Sequence, residues 1–310
     1  MTGVPVEGIV HDRRFERLVP PDTALEWLAD GAIWAEGPVY LPDEDAVLWS
    51  DVRGNVVRRW SAADGATELY RPSGFANGHT LDHDGRVLAC EHGPRRVARY
   101  ERDGSQTTVV DRFEGKRLNS PNDIVVASDG AIWFTDPPYG ILDDSEGYKA
   151  ESELGGCFVF RLDRTTGELE IVSDDLVHPN GLAFSPGETV LYVSDTSVAR
   201  IEGGNHHIVA FDVIDGRRLA APRVFKVIEP GVSDGLRVDV DGNIWTSAGD
   251  GIQVLDPTGV ELGRILLPEE ASNCTFGGAD GRRLFITATS TLWAIDVAIR
   301  GAVTPWVEAR

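Results

Sequence analysis

Apolar and polar residues along this chain follow the short pattern typical of β-strands. Six runs of branched and aromatic residues recur roughly 40 to 59 residues apart, and each ends in small or acidic side chains. The runs are AVLWSDV (46–52), RVLACEH (86–92), AIWFTDP (131–137), VLYVSDT (190–196), NIWTSAG (243–249) and RLFITAT (283–289). A tight turn and an earlier apolar strand precede each run, and a third strand follows it. This order of elements predicts the blades of a β-propeller.

The repeat predicts an all-β, six-bladed β-propeller with a central channel, built as a single domain over residues 1–310. We expect the N-terminal segment RFERLVP (14–20) to form the strand that pairs with the last blade and closes the ring. The best helix candidate, DTALEWLADGA (22–32), is short and runs into Gly31. The segment 139–156 has no strand pattern and is predicted to be a rim loop, either functional or disordered.

Composition and charge narrow the choice of partners. The 310 residues include 8 Trp and 11 Phe, enough for a packed core, and 34 Gly with 17 Pro, which indicate many turns. The formal net charge is −21. A surface this acidic repels phosphate backbones and anionic lipids, so nucleic acid and membrane partners are not expected. The charge would favour cations at an acidic mouth, or it serves only to keep the protein soluble.

The N-terminal residues and the cysteines indicate a compartment. The first residues, MTGVPVEGIVHDRRFERLV, interrupt their short apolar stretches with charge and Pro, unlike a secretory signal. No apolar run approaches the ~20 residues of a membrane span. Cys90, Cys157 and Cys274 are scattered and are expected to be buried thiols. We therefore predict a cytoplasmic protein, and the sequence leaves its oligomeric state open.

Aligning the blades on their turns brings six oxygen-bearing side chains into one register. These residues, called the ring residues below, are Glu36, Asn77, Asn122, Asn180, Asp234 and Asn273. Each stands at the start of the first strand of a blade, and first strands line the channel of a propeller. Asn-Gly and Asp-Gly are commonly only turn dipeptides, which is the simpler interpretation of any one site. Six together instead predict a ring of oxygens facing the axis.

Such a ring is costly unless something ligates it, because Asn and Asp are depleted from strands and crowded polar groups need partners. A hard cation supplies that partner. Ca²⁺ accepts 6–8 oxygens from carboxylates, amides and water with tolerant geometry. Glu36 and Asp234 carry two negative charges, which would neutralise one divalent ion. The chain has no His–Cys cluster or HExxH pattern that would favour zinc.

The segments around these residues resemble a known family. WAEGPVY (34–40), GFANGHTLDHDGRVLACEHGPRRVARY (74–100), GKRLNSPNDIVVASDGAIWFTDPPYGI (115–141), HPNGLAFSPGETVLYVSDT (178–196) and SDGLRVDVDGNIWTSAGDGIQVLDP (233–257) are similar to the SMP-30, gluconolactonase and regucalcin family. That family is related to diisopropyl-fluorophosphatase. The similarity spans residues 34 to 296 and is greatest with the bacterial gluconolactonases.

The resemblance implies a set of metal ligands and an activity. It implies that Glu36, Asn122, Asn180 and Asp234 hold a catalytic Ca²⁺, while Zn²⁺, Mg²⁺ or Mn²⁺ stay open as substitutes. It further implies hydrolysis of a small lactone, with Asp234 as the base or the nucleophile. Substrate contacts are expected from a second group of residues: Asn77, His79, Asn119, Tyr139 and Asn273.

Other mouth residues and other functions remain open at this point. Glu91, His92, Asp136 and Asp195 are expected at the mouth, either touching substrate or satisfying backbone groups of the loops. A phosphotriesterase of the diisopropyl-fluorophosphatase type could use the same metal site. A non-catalytic propeller that serves as a binding module is a third possibility, although it has no need of a ring of acids and amides. The absence of a Gly-x-Ser-x-Gly motif disfavours a serine hydrolase.

Overall fold

The computed structural model describes residues 4–302, so the predicted domain limits at 1 and 310 lie outside the described residues. Within that range the chain forms six antiparallel sheets of four or five strands, which are the blades, and one separate two-stranded hairpin. From the channel outward, blade 1 consists of Ala35–Leu41, Ala46–Asp51, Val56–Ser61 and Gly65–Tyr70, blade 2 of Ala76–Leu81, Val87–Glu91, Arg96–Tyr100 and Gln106–Val110, and blade 3 of Ile124–Val126, Ile132–Asp136, Phe158–Leu162 and Leu169–Ser173. Blade 4 consists of Pro179–Phe184, Val190–Asp195 and His207–Ile214, with Arg218–Leu219 and Arg223–Val227 outermost. Blade 5 consists of Leu236–Val238, Ile244–Ala248, Gly251–Leu255, Glu261–Leu266 and Gly8–Val10, and blade 6 of Ala271–Gly277, Arg283–Ala288, Thr291–Asp296, Ala24–Ala29 and Val4–Pro5. The predicted six-bladed propeller is confirmed.

The hydrophobic core is divided among the contacts between blades. Each pair of neighbouring blades shares one cluster of buried apolar side chains, including the pair formed by blades 6 and 1. The second strands carry the largest contributions, since Trp49, Trp133 and Trp245 are almost fully buried on them. Packing between sheets therefore holds the ring together. It leaves the innermost strands free to present polar side chains to the channel.

The position predicted for the ring-closing strand is wrong. Residues Arg14–Leu18 form a short helix, because Phe15 and Leu18 lie three residues apart and pack together into the cluster between blades 5 and 6. The closing strand is Ala24–Ala29, antiparallel to Thr291–Asp296 with Trp27 opposite Trp293. It lies within the segment that the sequence had marked as the best helix candidate. The ring is thus closed by an N-terminal strand, as expected, but one further along the chain.

The remaining elements are short. A second helix is Tyr139–Leu142, 3₁₀ turns occupy Pro42–Glu44 and Ser197–Ala199, and a hairpin joins Arg112–Phe113 to Lys116–Arg117. The rest of segment 139–156 has no strand, as predicted, and folds back on its own helix by a hydrogen bond from Tyr148 N to Gly140 O at 3.0 Å. No helix in the described part of the chain has the length and apolar character needed to cross a membrane.

Candidate functional site

The ring residues lie where the innermost strands begin. In blades 1, 2, 4 and 6 the pairing of the first two strands shifts register at or next to the ring residue, which is the mark of a β-bulge. In blades 3 and 5 the ring residue comes just before the strand. A bulge breaks the ladder and redirects a side chain, which explains how strand residues turn toward the axis. All are buried except Asp234, which is partly exposed.

Glycines that follow the ring residues allow neighbouring blades to touch. A Cβ on Gly37 would lie 1.9 Å from Asn77 O, one on Gly78 would lie 2.6 Å from Asn122 O, and one on Gly181 would lie 2.3 Å from Asp234 O. A Cβ on Gly235 would lie 2.0 Å from Cγ of Asn273. Backbone hydrogen bonds follow the same path, for example Gly181 N to Asp234 O at 2.8 Å. These dipeptides therefore form contacts between blades at the axis and are not hairpin turns.

Glu36 and Asn273 form a pair within the ring. Asn273 Nδ2 donates to Glu36 Oε2 at 3.0 Å, and the backbone N–H of Gly37 donates to the same oxygen. Asn273 Oδ1 accepts the N–H of Cys274 at 2.8 Å. Both ends of the Asn273 amide are therefore bonded within the protein. Glu36 Oε1 receives no hydrogen bond from any described residue.

In Asn180 and Asn77, only the nitrogen of the side-chain amide is hydrogen-bonded. Asn180 Nδ2 donates to Thr196 Oγ1 at 3.0 Å, and Asn77 Nδ2 lies 3.5 Å from His92 Nε2. His92 is held in turn by Glu146 O, 3.0 Å from its Nδ1. The oxygens of both amides consequently stay without a donor among residues 4–302.

Asn122 and Asp234 complete the set. Within the described residues no hydrogen bond reaches the side chain of either one. The predicted ligands Glu36, Asn122, Asn180 and Asp234 therefore each keep an oxygen that no protein group satisfies, whereas the oxygen of Asn273 is taken. No group of three or more His, Cys, Asp or Glu in residues 4–302 is arranged to hold a metal, so a metal at the ring depends on its amides.

The electrostatics of the ring also suit a cation. Burial, followed by the charge of Glu36 and of the nearby Glu270, raises the pKa of the Asp234 carboxyl well above its ordinary value. Burial likewise raises the pKa of Glu36, and the charge of Asp123 adds to the effect. Arg237, 3.6 Å from Asp123, opposes it only in part. Two carboxylates and two amide oxygens in this setting fit a hard divalent cation.

The residues predicted to contact substrate differ in whether their polar atoms already have hydrogen-bond partners in the protein. His79 is buried, its Nδ1 donates to Gly37 O at 2.8 Å, and its Nε2 has no partner among the described residues. Burial lowers the pKa of His79 to about 4, so its imidazole is neutral at pH 7. The Asn119 amide is fully used by the carbonyls of Asp136 and Gly156 and by Ser152 Oγ. Tyr139 hydrogen-bonds Thr196 through its hydroxyl. Substrate contact by each of them stays a prediction.

Three acidic residues at the ends of the second strands tie down the loops. Asp51, Asp136 and Asp195 each accept two consecutive backbone N–H groups from the loop that leads into the inner strand of the same blade. The donors are Ile33 and Trp34, Asn119 and Ser120, and Val177 and His178. Burial raises the pKa of Asp136 to about 7, whereas the hydrogen bonds to Asp195 outweigh its burial and lower its pKa. Sequence reasoning missed Asp51, although it ends its run as Asp136 and Asp195 do.

Segment 139–156 reaches across the mouth to other blades. Glu146 forms ion pairs with Arg200 of blade 4 at 3.0 Å and with Arg53 of blade 1 at 3.7 Å. Tyr148 packs edge-on against Phe75 of blade 2, with ring centroids 5.4 Å apart. These contacts could not be predicted from local sequence patterns, because the two arginines lie about 90 residues before and about 50 residues after Glu146.

Comparison with known proteins shows which proteins this chain resembles over most of its length. Residues 34–290 match the family described as "SMP-30/Gluconolactonase/LRE-like region". A gluconolactonase of Zymomonas mobilis is 34% identical over 295 residues, which cover 89% of this chain and 82% of the relative. The pentonolactonase XacC of Haloferax volcanii is 31% identical and covers 81% of this chain and 80% of its own.

A solved structure is also similar to this chain in both fold and sequence. The gluconolactonase XC5397 of Xanthomonas campestris superposes with a TM-score of 0.89 at 40% identity, covering 96% of this chain and 97% of that one. The match extends over nearly the full length of both proteins and includes all six ring positions within residues 34–290. The chain therefore belongs to the SMP-30/gluconolactonase family.

Proposed function

We propose that this protein is a Ca²⁺-dependent hydrolase that opens the ring of a sugar lactone. The observation that carries the proposal is the set of unsatisfied oxygens on Glu36, Asn122, Asn180 and Asp234. Hard oxygen ligands with two negative charges match the preference of Ca²⁺ and neutralise a divalent ion. The full-length similarity to a gluconolactonase and a pentonolactonase supports a lactone as the substrate.

The roles of the residues in lactone hydrolysis follow from which of their side-chain groups are not already hydrogen-bonded within the protein. When bound, the cation supplies Lewis-acid polarisation of the lactone carbonyl and balances the developing oxyanion. Asp234 is the more exposed of the two ring carboxylates, and it either takes a proton from the attacking water or adds to the carbonyl carbon itself. In both routes the acyl C–O bond of the lactone ring breaks and the ring oxygen leaves as a hydroxyl, protonated in the first route by the proton that Asp234 took from water and in the second by a water molecule. In the second route the acyl group is then bonded to Asp234, and a further water molecule hydrolyses this anhydride, which releases the acid and restores the carboxylate. Asn77 Oδ1 is the neighbouring atom without a hydrogen bond that could bind substrate, whereas His79 Nε2 lacks a partner among the described residues but is buried.

Chelation tests the proposal directly. Hydrolysis of glucono-1,5-lactone would be followed before and after treatment with a chelator, and again after adding Ca²⁺, Zn²⁺, Mg²⁺ or Mn²⁺. We expect activity to disappear with the metal and to return most fully with Ca²⁺. Activity that is indifferent to chelation would overturn the proposal. Organophosphates assayed in parallel separate a phosphotriesterase, and no turnover on either panel would indicate a binding module.

The variant Asp234→Asn tests the role of that carboxylate. We expect turnover to fall roughly 10²- to 10⁴-fold, the usual contribution of a general base. Bound Ca²⁺ would be measured by calorimetry in the same preparations, with Asp212→Asn, an exposed position on the third strand of blade 4, as the matched control. Retained metal together with unchanged turnover would exclude Asp234 as the base or nucleophile.

A further inference from the structure

We infer that Tyr139 and Thr196 are positioning residues that decide which end of the Asn180 amide faces the channel. The inference rests on the proposed cation at the ring. Thr196 is nearly inaccessible, and its Oγ1 lies 3.0 Å from Asn180 Nδ2 and 2.6 Å from the Tyr139 hydroxyl. Tyr139 OH is also 3.3 Å from the backbone oxygen of Thr196. Tyr139 itself touches no ring residue in these contacts.

The amide needs such a device because its two ends are nearly equal in size. Asn180 could place either Oδ1 or Nδ2 toward the channel with little change in packing, and only hydrogen bonds distinguish the two orientations. Thr196 alone does not distinguish them, since a hydroxyl can accept from an NH₂ group or donate to a carbonyl oxygen. An amide turned the wrong way would aim two N–H groups at a cation.

One assignment of hydrogens satisfies all three contacts. Tyr139 donates to the backbone oxygen of Thr196, Thr196 Oγ1 donates to the Tyr139 oxygen, and Asn180 Nδ2 donates to Thr196 Oγ1. The single hydrogen of Thr196 is then used, so only its lone pairs face Asn180. An acceptor selects the NH₂ end of the amide, which leaves Oδ1 on the side away from Thr196. Tyr139 thus acts on Asn180 through Thr196.

The position of Tyr139 is itself well fixed. It begins the helix Tyr139–Leu142, and its ring packs edge-on against His178 with centroids 5.4 Å apart. Gly140 N donates to Ser120 Oγ at 2.9 Å and anchors the same turn. A hydroxyl held on this framework is suited to orient a neighbour, which differs from the substrate contact that the sequence predicted for Tyr139.

The test is Ca²⁺ affinity of the metal-free protein, measured by calorimetry independently of turnover. Thr196→Val removes the acceptor at nearly constant volume, and we expect affinity to fall about tenfold or more, as for other groups that orient a metal ligand. Tyr139→Phe frees the threonine hydrogen. An even split between amide orientations would then lower affinity about twofold, and a preference for the wrong one would lower it further. Thr196→Ser keeps the hydroxyl and should stay within about twofold of wild type.

Two controls separate orientation from a loss of structure. Tyr192→Phe removes the hydroxyl of a largely buried tyrosine of blade 4, a hydroxyl with no hydrogen bond within residues 4–302, and it should leave Ca²⁺ affinity unchanged. In the double variant, Tyr139→Phe should cost nothing beyond Thr196→Val, because the tyrosine acts only through the threonine.

The outcomes distinguish this inference from the proposed function. Wild-type protein that binds no Ca²⁺ would overturn the proposed function. Wild-type protein that binds Ca²⁺, with Thr196→Val and Tyr139→Phe binding it equally well, would overturn the positioning role alone. A loss in Thr196→Ser as large as in Thr196→Val would also overturn it, since the hydroxyl would not be the group that acts.

Discussion

Replacing Asp195 by Ala should destabilise the protein far more than an average substitution. The carboxylate is 1% exposed and accepts four hydrogen bonds. The donors are Val177 N at 2.8 Å, His178 N at 3.2 Å, Ser197 N at 3.1 Å and Asn205 Nδ2 at 2.8 Å. In the variant all four N–H groups lose their partner at once, and three of them belong to the backbone.

The size of the effect follows from that count. A buried donor left without a partner costs about 1–3 kcal/mol, and water that enters at the rim brings each toward the lower value. Four donors then give about 4 kcal/mol. An unfolding entropy of ~2.1 cal/mol/K per residue amounts to about 0.65 kcal/mol/K for a chain of this length, so the melting temperature should fall by about 6 °C.

Thermal and urea unfolding of the metal-free protein would measure the loss. Asp212→Ala is the matched control, because Asp212 lies in the same blade and is exposed, and it should change stability by less than about 0.5 kcal/mol. The pKa of Asp195 is lowered in the folded state, so its contribution is present above the ordinary value of 3.8 and is lost as pH falls through the folded pKa. The gap between wild type and Asp195→Ala should therefore narrow below pH 3.8. A loss no larger than that of Asp212→Ala would refute the reasoning.

Two further changes address the ring. Gly235→Ala would place a Cβ 2.0 to 2.3 Å from three atoms of the Asn273 amide, so we expect Ca²⁺ affinity and turnover each to fall at least about tenfold. Gly187→Ala is the control, because the nearest neighbour of a Cβ there is 4.0 Å away. Equal effects of the two substitutions would contradict the steric argument. Asn273→Ala removes a donor to Glu36, whose pKa burial already raises. The pKa should rise further, so protons compete better with the metal, and Ca²⁺ affinity by calorimetry should fall more at pH 6 than at pH 8. A loss independent of pH would contradict that mechanism.

The sequence predicted the blades from their second strands, and burial explains why. Ala46–Asp51 and Ile244–Ala248 are buried at every position, so they appear as unbroken apolar runs. The outermost strands carry little such signal. Gly65–Tyr70 is exposed or half-buried throughout, and the fourth strands of blades 1 to 5 were accordingly not predicted. The error at the N-terminus has the same cause, since Ala24–Ala29 is an outer strand whose pairing with the last blade depends on tertiary contacts.

The positions of the ring residues could be predicted because turns fix the register of each blade. The hydrogen bonding of each side-chain oxygen could not. Asn180 and Asn273 occupy equivalent positions, yet the oxygen of one is without a donor and that of the other is bound by Cys274 N. The difference arises from Thr196, the residue that follows the adjoining second strand, and from the local backbone. Sequence spacing therefore locates candidate ligands, while the hydrogen bonds show that, of the four ring asparagines, Asn273 has its oxygen already taken by a described residue.

The Asn-Gly and Asp-Gly pairs show why local statistics mislead at this site. A propeller axis needs a polar residue facing the channel and a small one where the next blade touches, and the same letters serve a turn elsewhere. In the two blades without that glycine, side chains link the neighbouring blades. Beside Asn122-Asp123, Thr135 Oγ1 donates to Asn180 O at 2.8 Å, and beside Asn273-Cys274, the Asn273 amide donates to Glu36. A side chain also links blades where the glycine is present, since Ser50 Oγ donates to Asn77 O at 2.9 Å beside Glu36-Gly37. The role of the glycines in contact between blades therefore rests on the short distances that a Cβ would make at the four of them.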